Sequence, residues 1–88
     1  MAYTARVRLP DSLGKLLRSD METAIFEANL GNSDSLIAKR YLLDQLPQAD
    51  IAAEIGCTRA TICERVHRII NRVEETADKL GLTKSYTN

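Results

Sequence analysis

Apolar residues recur at helical spacing along most of this chain, and short polar or glycine-containing breaks divide them into segments. Pro10-Asp11-Ser12 is a turn and cap signal, and Leu13, Leu16 and Leu17 follow it at the spacing of a first helix. Ser19-Asp20-Met21-Glu22 fits a capping box, which predicts a second helix burying Ile25, Phe26 and Leu30 and stopping at Gly31. Asn32-Ser33-Asp34 caps a third, with Leu36, Ile37, Tyr41 and Leu42 on its buried side. Leu46-Pro47 breaks that helix and opens the next, because a proline in a first turn forfeits no hydrogen bond. The pattern predicts an all-α fold, a small bundle of about five helices ending in a long one.

Residues 48–68, QADIAAEIGCTRATICERVHR, carry the most specific signal. Ile51, Ala52 and Ile55 form one apolar face, Gly56 ends their helix, and Cys57 tucks in as a small apolar residue. Thr58 is placed to cap the following helix, whose Ile62 and Val66 return to the core at i, i+4. The small Ala52 lets two helices cross closely, as a helix-turn-helix requires. Arg59, Ala60, Cys63, Glu64, His67 and Arg68 are left on the outer face of the second helix. Such side chains suit base edges and phosphates in a major groove, so double-stranded DNA is the expected partner.

No breaker interrupts that second helix over residues 59–80; Gly81 then stops it. Val66, Ile70, Val73, Ala77 and Leu80 alternate four and three apart. This seam can pack inward on Leu16, Leu17 and Phe26, or against a second copy. Two heptads cannot hold a coiled coil alone, so both uses are expected, with Val73, Ala77 and Leu80 contributing to a homodimer contact. The organisation is then a single domain over 1–88: an arm at 1–10, a helix-turn-helix core at 47–72, a dimer contact at 73–81 and a tail at 82–88.

Composition narrows the class. An 88-residue chain with 44% hydrophobic residues is one domain. It has no apolar run of membrane-spanning length, and its start, MAYTARVRLP, lacks the apolar block of a signal peptide, which predicts a cytoplasmic protein with no membrane partner. Cys57 and Cys63 stand six apart beside a single histidine, too few ligands for a zinc site, and they face different ways, against a disulfide. Both are expected as reduced thiols, Cys57 buried and Cys63 an oxidisable surface contact. Net charge is zero, but unevenly spread: +3 over residues 1–18, −5 over 19–55, +3 over 57–72 and −1 beyond. Arg59, Arg65, Arg68 and Arg72 against Glu64 make a local basic patch on a neutral body. One such protomer releases few counterions, so useful affinity calls for two half-sites.

Each candidate has a plainer alternative. Arg59 can take a guanine bidentately or pair with Glu54 or Asp50. Glu64 can accept from a cytosine amine or orient Arg68 at i, i+4. His67 suits a phosphate or packing role, and Thr58 and Gln48 sit at helix starts, where they can hold phosphates or cap. Lys39 and Arg40 can flank the DNA backbone or remain solvated; Arg6 and Arg8 can form a minor-groove arm or an unstructured basic start. A lone histidine without a phosphate loop or a neighbouring carboxylate pair offers no catalytic site, so neither an enzyme nor a cofactor is expected.

At Pro47-Gln48-Ala49, Gly56, Thr58-Arg59 and Val66-His67-Arg68, with Leu43-Asp44 before them, the chain resembles the KorA/TrfB family of plasmid transcriptional repressors. The likeness runs over residues 37–73. It implies a dimer on a palindromic operator, with Arg59 and Glu64 as base readers and Thr58, Gln48 and Arg68 towards phosphates. Glu64 stands where the family carries glutamine and Cys63 where it carries serine, which implies a different operator. The segment after the motif is also shorter than the family's dimerisation arm. A second resemblance, through Lys39-Arg40-Tyr41-Leu42 and ADIAAEIGCTRATI, is to sigma-factor region 4, which implies contact with RNA polymerase. An interaction module touching polymerase or another repressor without DNA is a third reading; a basic helix face argues against it.

Overall fold

In the structure, a computed structural model describing residues 9–82, five helices enclose one core. They are α1 (Asp11–Gly14), α2 (Arg18–Glu27), α3 (Asn32–Ala38), α4 (Gln48–Ile55) and α5 (Arg59–Lys79), and α3 runs on into a π turn over Lys39–Leu43. No strand occurs among the described residues, so the fold is all-α. Arg6, Arg8 and the tail beyond residue 82 lie outside the described residues. No helix among the described residues is long and apolar enough to cross a membrane.

α5 organises the fold. Ile62, Val66, Ile69, Val73 and Ala77 form a buried ridge along it, and α2, α3 and α4 all pack on this helix. Its β-branched residues are mediocre helix formers, each costing a few tenths of a kcal/mol. Burying an isoleucine or valine contributes roughly 1.5–3 kcal/mol, so packing rather than propensity holds the helix. The seam expectation needs correcting here. Val73 and Ala77 have no exposed surface and already belong to the protomer's own core. Ile69 replaces Ile70 in the ridge, and Leu80 is left 45% exposed.

The first two helices also differ from expectation. α1 is a single turn; it ends at Gly14, and only Leu13 of its predicted face is fully buried. Leu16 is half-buried and Leu17 points outward as the extended residue before α2. α2 starts at Arg18, ahead of the predicted capping box, so Ser19 is already helical and no side chain caps the helix. Met21, Ala24, Ile25 and Ala28 take its buried stripe at i, i+3, i+4 and i+7. Phe26 lies one step of about 100° beyond Ile25 and is 80% exposed. Asn29, at φ 57°, terminates α2, while Gly31, at φ 92°, leads into α3 with no side-chain cap.

Ile37, Ala38, Tyr41 and Leu42 bury the inner side of α3 and its π turn, but Leu36 remains partly exposed. The turn closes with the Asp44 amide donating to the Lys39 carbonyl, a five-residue step that widens the helix before Pro47 opens α4.

Candidate nucleic-acid interface

α4 ends at Gly56, whose φ of 87° and ψ of 33° lie in the left-handed region. The amides of Gly56 and Cys57 both donate to the Ala52 carbonyl, at 2.8 and 3.0 Å, and turn the chain sharply. Cys57 is half-buried against the core, and both cysteines are free thiols. Thr58 then starts α5: its hydroxyl oxygen accepts from the Thr61 amide at 3.1 Å, and its hydroxyl donates to the Thr61 hydroxyl at 3.0 Å. The capping alternative for Thr58 is therefore realised. Ile51 and Ala52 from α4 and Ile62 and Val66 from α5 meet in the core, as their spacing predicts.

On the outer side of α5, Ala60, Glu64, His67 and Asn71 form an exposed stripe roughly opposite the buried ridge. Exposed Arg68 and Arg72 make a neighbouring i, i+4 row, and Arg59 stands exposed one residue after the cap. Cys63 is half-buried at the other edge of the stripe. Gln48, the first residue of α4, is also half-buried. Among the described residues, Arg59, His67, Arg68 and Arg72 have no ion pair or side-chain hydrogen bond, and Glu64 does not pair with Arg68.

Two of the arginines considered for DNA contact, Arg40 and Arg65, are used elsewhere. Arg40 bridges Asp44 at 3.0 Å and Glu54 at 3.1 Å, tying the π turn to α4. The Asp44 and Glu54 carboxylates raise its guanidinium above the ordinary arginine value. Glu54, one alternative partner for Arg59, is thereby occupied. Arg65 is bound to α3: its Nε and Nη2 donate to Asp34 Oδ1 at 3.0 and 2.6 Å, and Nη2 donates to Ser33 Oγ at 2.7 Å. The free basic patch thus comprises Arg59, Arg68 and Arg72, one arginine fewer than the sequence suggests.

Apart from Lys79 in the last turn, the charges of α5 run against the helix dipole. α5 has no acidic residue in its first turn but an arginine there, and Glu74, Glu75 and Asp78 gather towards its C-terminal end. Among the described residues the amides of Arg59 and Ala60 have no protein partner. The start of α5 therefore combines free donors, positive potential and a cationic side chain, the attributes of an anion-binding end. An open groove of about 750 Å³, lined by Ile25, Phe26, Leu30 and Lys39 among others, contains none of these residues.

The chain is 34% identical over 55 residues to the TrfB transcriptional repressor protein of Escherichia coli. The aligned stretch covers 62% of this chain and 54% of that protein, so the chain spans about half the length of the relative it matches. No family model matches, and no solved structure matches. The sequence reading missed Asn71, which extends the Ala60–Glu64–His67 stripe by one turn; its position four residues after His67 was the available signal.

Proposed function

We propose that this chain is a sequence-specific DNA-binding transcriptional repressor, with α4, the Gly56 turn and α5 as a helix-turn-helix and α5 as its reading helix. One observation carries the reading: Arg59, Glu64, His67 and Arg68 lie exposed along α5, and among the described residues the arginines and the histidine have no partner within the protomer. Similarity to a protein named as a transcriptional repressor supports the same class.

In this reading Arg59 and Glu64 meet base edges in the major groove. Arg68, Gln48 and His67 hold phosphates, joined by the open amides at the start of α5 and by Thr58; Ala60 and Cys63 flank the readers. Zero net charge limits what one protomer gains from the DNA backbone, so the binding unit is a homodimer on a palindromic operator, working in the cytoplasm. Of the three residues expected at the dimer contact, Val73, Ala77 and Leu80, only Leu80 has surface to offer a partner.

The test is selection of bound duplexes from a random pool, with the mass of the complex measured by sedimentation. A palindrome with half-sites about one helical turn apart, bound by two chains, is expected. A pool that never enriches overturns DNA reading. An asymmetric site recovered only with RNA polymerase favours the sigma-like alternative.

A further inference from the structure

Three α5 features compete for the backbone of an acidic ligand: Arg59, the Arg68–Arg72 row, and Arg65. Only Arg65 is already held. Its Nε and Nη2 fork onto one oxygen of Asp34, and Nη2 also reaches Ser33, both on α3. On the other flank of the buried ridge, Ser12 donates to Glu74 at 2.7 Å. The ridge itself is apolar and buried, and its close packing fixes which face of α5 turns inward. These two polar struts, one on each flank, add directional contacts that narrow how far α5 can rotate within that packing.

That rotation matters for the proposed reading. A turn of about 15° moves a side-chain tip some 6 Å from the axis by about 1.5 Å, beyond the roughly 0.5 Å within which a recognition constellation works. Arg65 lies between Glu64 and Arg68, in the proposed reading half of α5, whereas Glu74 lies about two and a half turns further on.

We propose that Asp34, supported by Ser33, is a positioning residue that sets the rotation of the reading helix through Arg65, so that an acidic side chain strengthens specific binding to an acidic ligand. The role rests on the DNA reading above. It makes a prediction opposite in sign to simple electrostatics, by which removing a negative charge from a DNA-binding face tightens every complex.

The experiment compares wild type, Asp34→Asn, Arg65→Lys and Ser12→Ala. Each is titrated against the selected operator and an unrelated duplex across a salt series, with urea denaturation in parallel. Asp34→Asn is expected to weaken operator binding on the order of tenfold while leaving the unrelated duplex equal or tighter, with an unchanged salt slope. Arg65→Lys keeps the charge but loses the fork, and is expected to lose the same discrimination; should Asp34→Asn not fold, this variant decides alone. Ser12→Ala removes the distant strut and is expected to lower stability with discrimination intact.

Tighter operator binding by Asp34→Asn, full affinity in Arg65→Lys, or equal loss of discrimination in Ser12→Ala each overturns the positioning role alone. A wild-type chain that prefers no duplex overturns the DNA reading and this role with it.

Discussion

Arg40 Nε lies 3.1 Å from a carboxylate oxygen of Glu54, and this contact joins the π turn after α3 to α4. The same guanidinium holds Asp44 at 3.0 Å, so one side chain gathers two acidic residues. Arg40→Gln and Glu54→Gln should each lower the urea midpoint, and the double variant should fall by less than the two losses combined. The pair is partly exposed, so the coupling should shrink at high salt. A guanidinium whose pKa is raised stabilises the fold below its unfolded value and loses that contribution only as pH climbs through the raised one. No step in stability due to Arg40 should therefore appear from neutral into moderately alkaline pH.

Val73 and Leu80 separate the core from any dimer contact. Val73→Asp places an unpaired charge at a fully buried position and should cost more than about 4 kcal/mol, unfolding the protomer. Circular dichroism would then show lost helix. Leu80→Asp changes an exposed residue at the end of α5, and should leave a folded chain within about 1 kcal/mol of wild type. A folded monomer from Val73→Asp would restore the seam as an interface.

Thr58 distinguishes a cap from a DNA contact. Losing the hydroxyl that accepts the Thr61 amide should make Thr58→Ala about 1 kcal/mol less stable, with Thr58→Ser near wild type. Thr58→Asp should cap as well as threonine and suit the helix dipole, yet repel a phosphate. Wild-type stability combined with weakened duplex binding is expected. Undiminished binding in Thr58→Asp would leave Thr58 a cap only.

Phe26 tests which stripe of α2 faces inward. Phe26→Ser should shift stability by no more than about 0.5 kcal/mol, the range of ordinary surface changes. Ile25→Ala, one residue away and 2% exposed, should cost about 2–5 kcal/mol. Comparable losses at both sites would move Phe26 into the core.

The legible parts of this chain were those governed by one or two neighbouring residues. The left-handed bend at Gly56 and the cap at Thr58 follow from local chemistry, and the structure has both. The ridge of α5 was half legible. A four-three alternation selects Ile70 and Leu80, whereas a straight helix against a globular core buries Ile62, Val66, Ile69, Val73 and Ala77, close to the 3.6-residue period. α2 was misread because Ala24 and Ala28 form its inner stripe, and alanine is a weak apolar signal beside a phenylalanine. Arg65 read as part of the surface patch because its partner lies 31 positions away, a separation that no local pattern encodes. The π turn left no trace in the pattern either.

Arg59 and Arg68 carry the prediction closest to function. Glu54 is held by Arg40, and among the described residues Arg59 has no partner and opposes the helix dipole, so Arg59→Ala should leave folding stability unchanged or slightly raised. Any loss of binding then reports the DNA contact itself. If Arg59 reads a guanine, its removal should cost about 1–3 kcal/mol at the operator and relax one base position. Arg68→Ala should weaken all duplexes alike and flatten the dependence of log K on log salt by about one unit. The two signatures are separable in a single salt series over matched and mismatched sites. Uniform weakening by Arg59→Ala, with a flattened slope, would reassign Arg59 to the backbone and leave Glu64 as the remaining candidate for base contact.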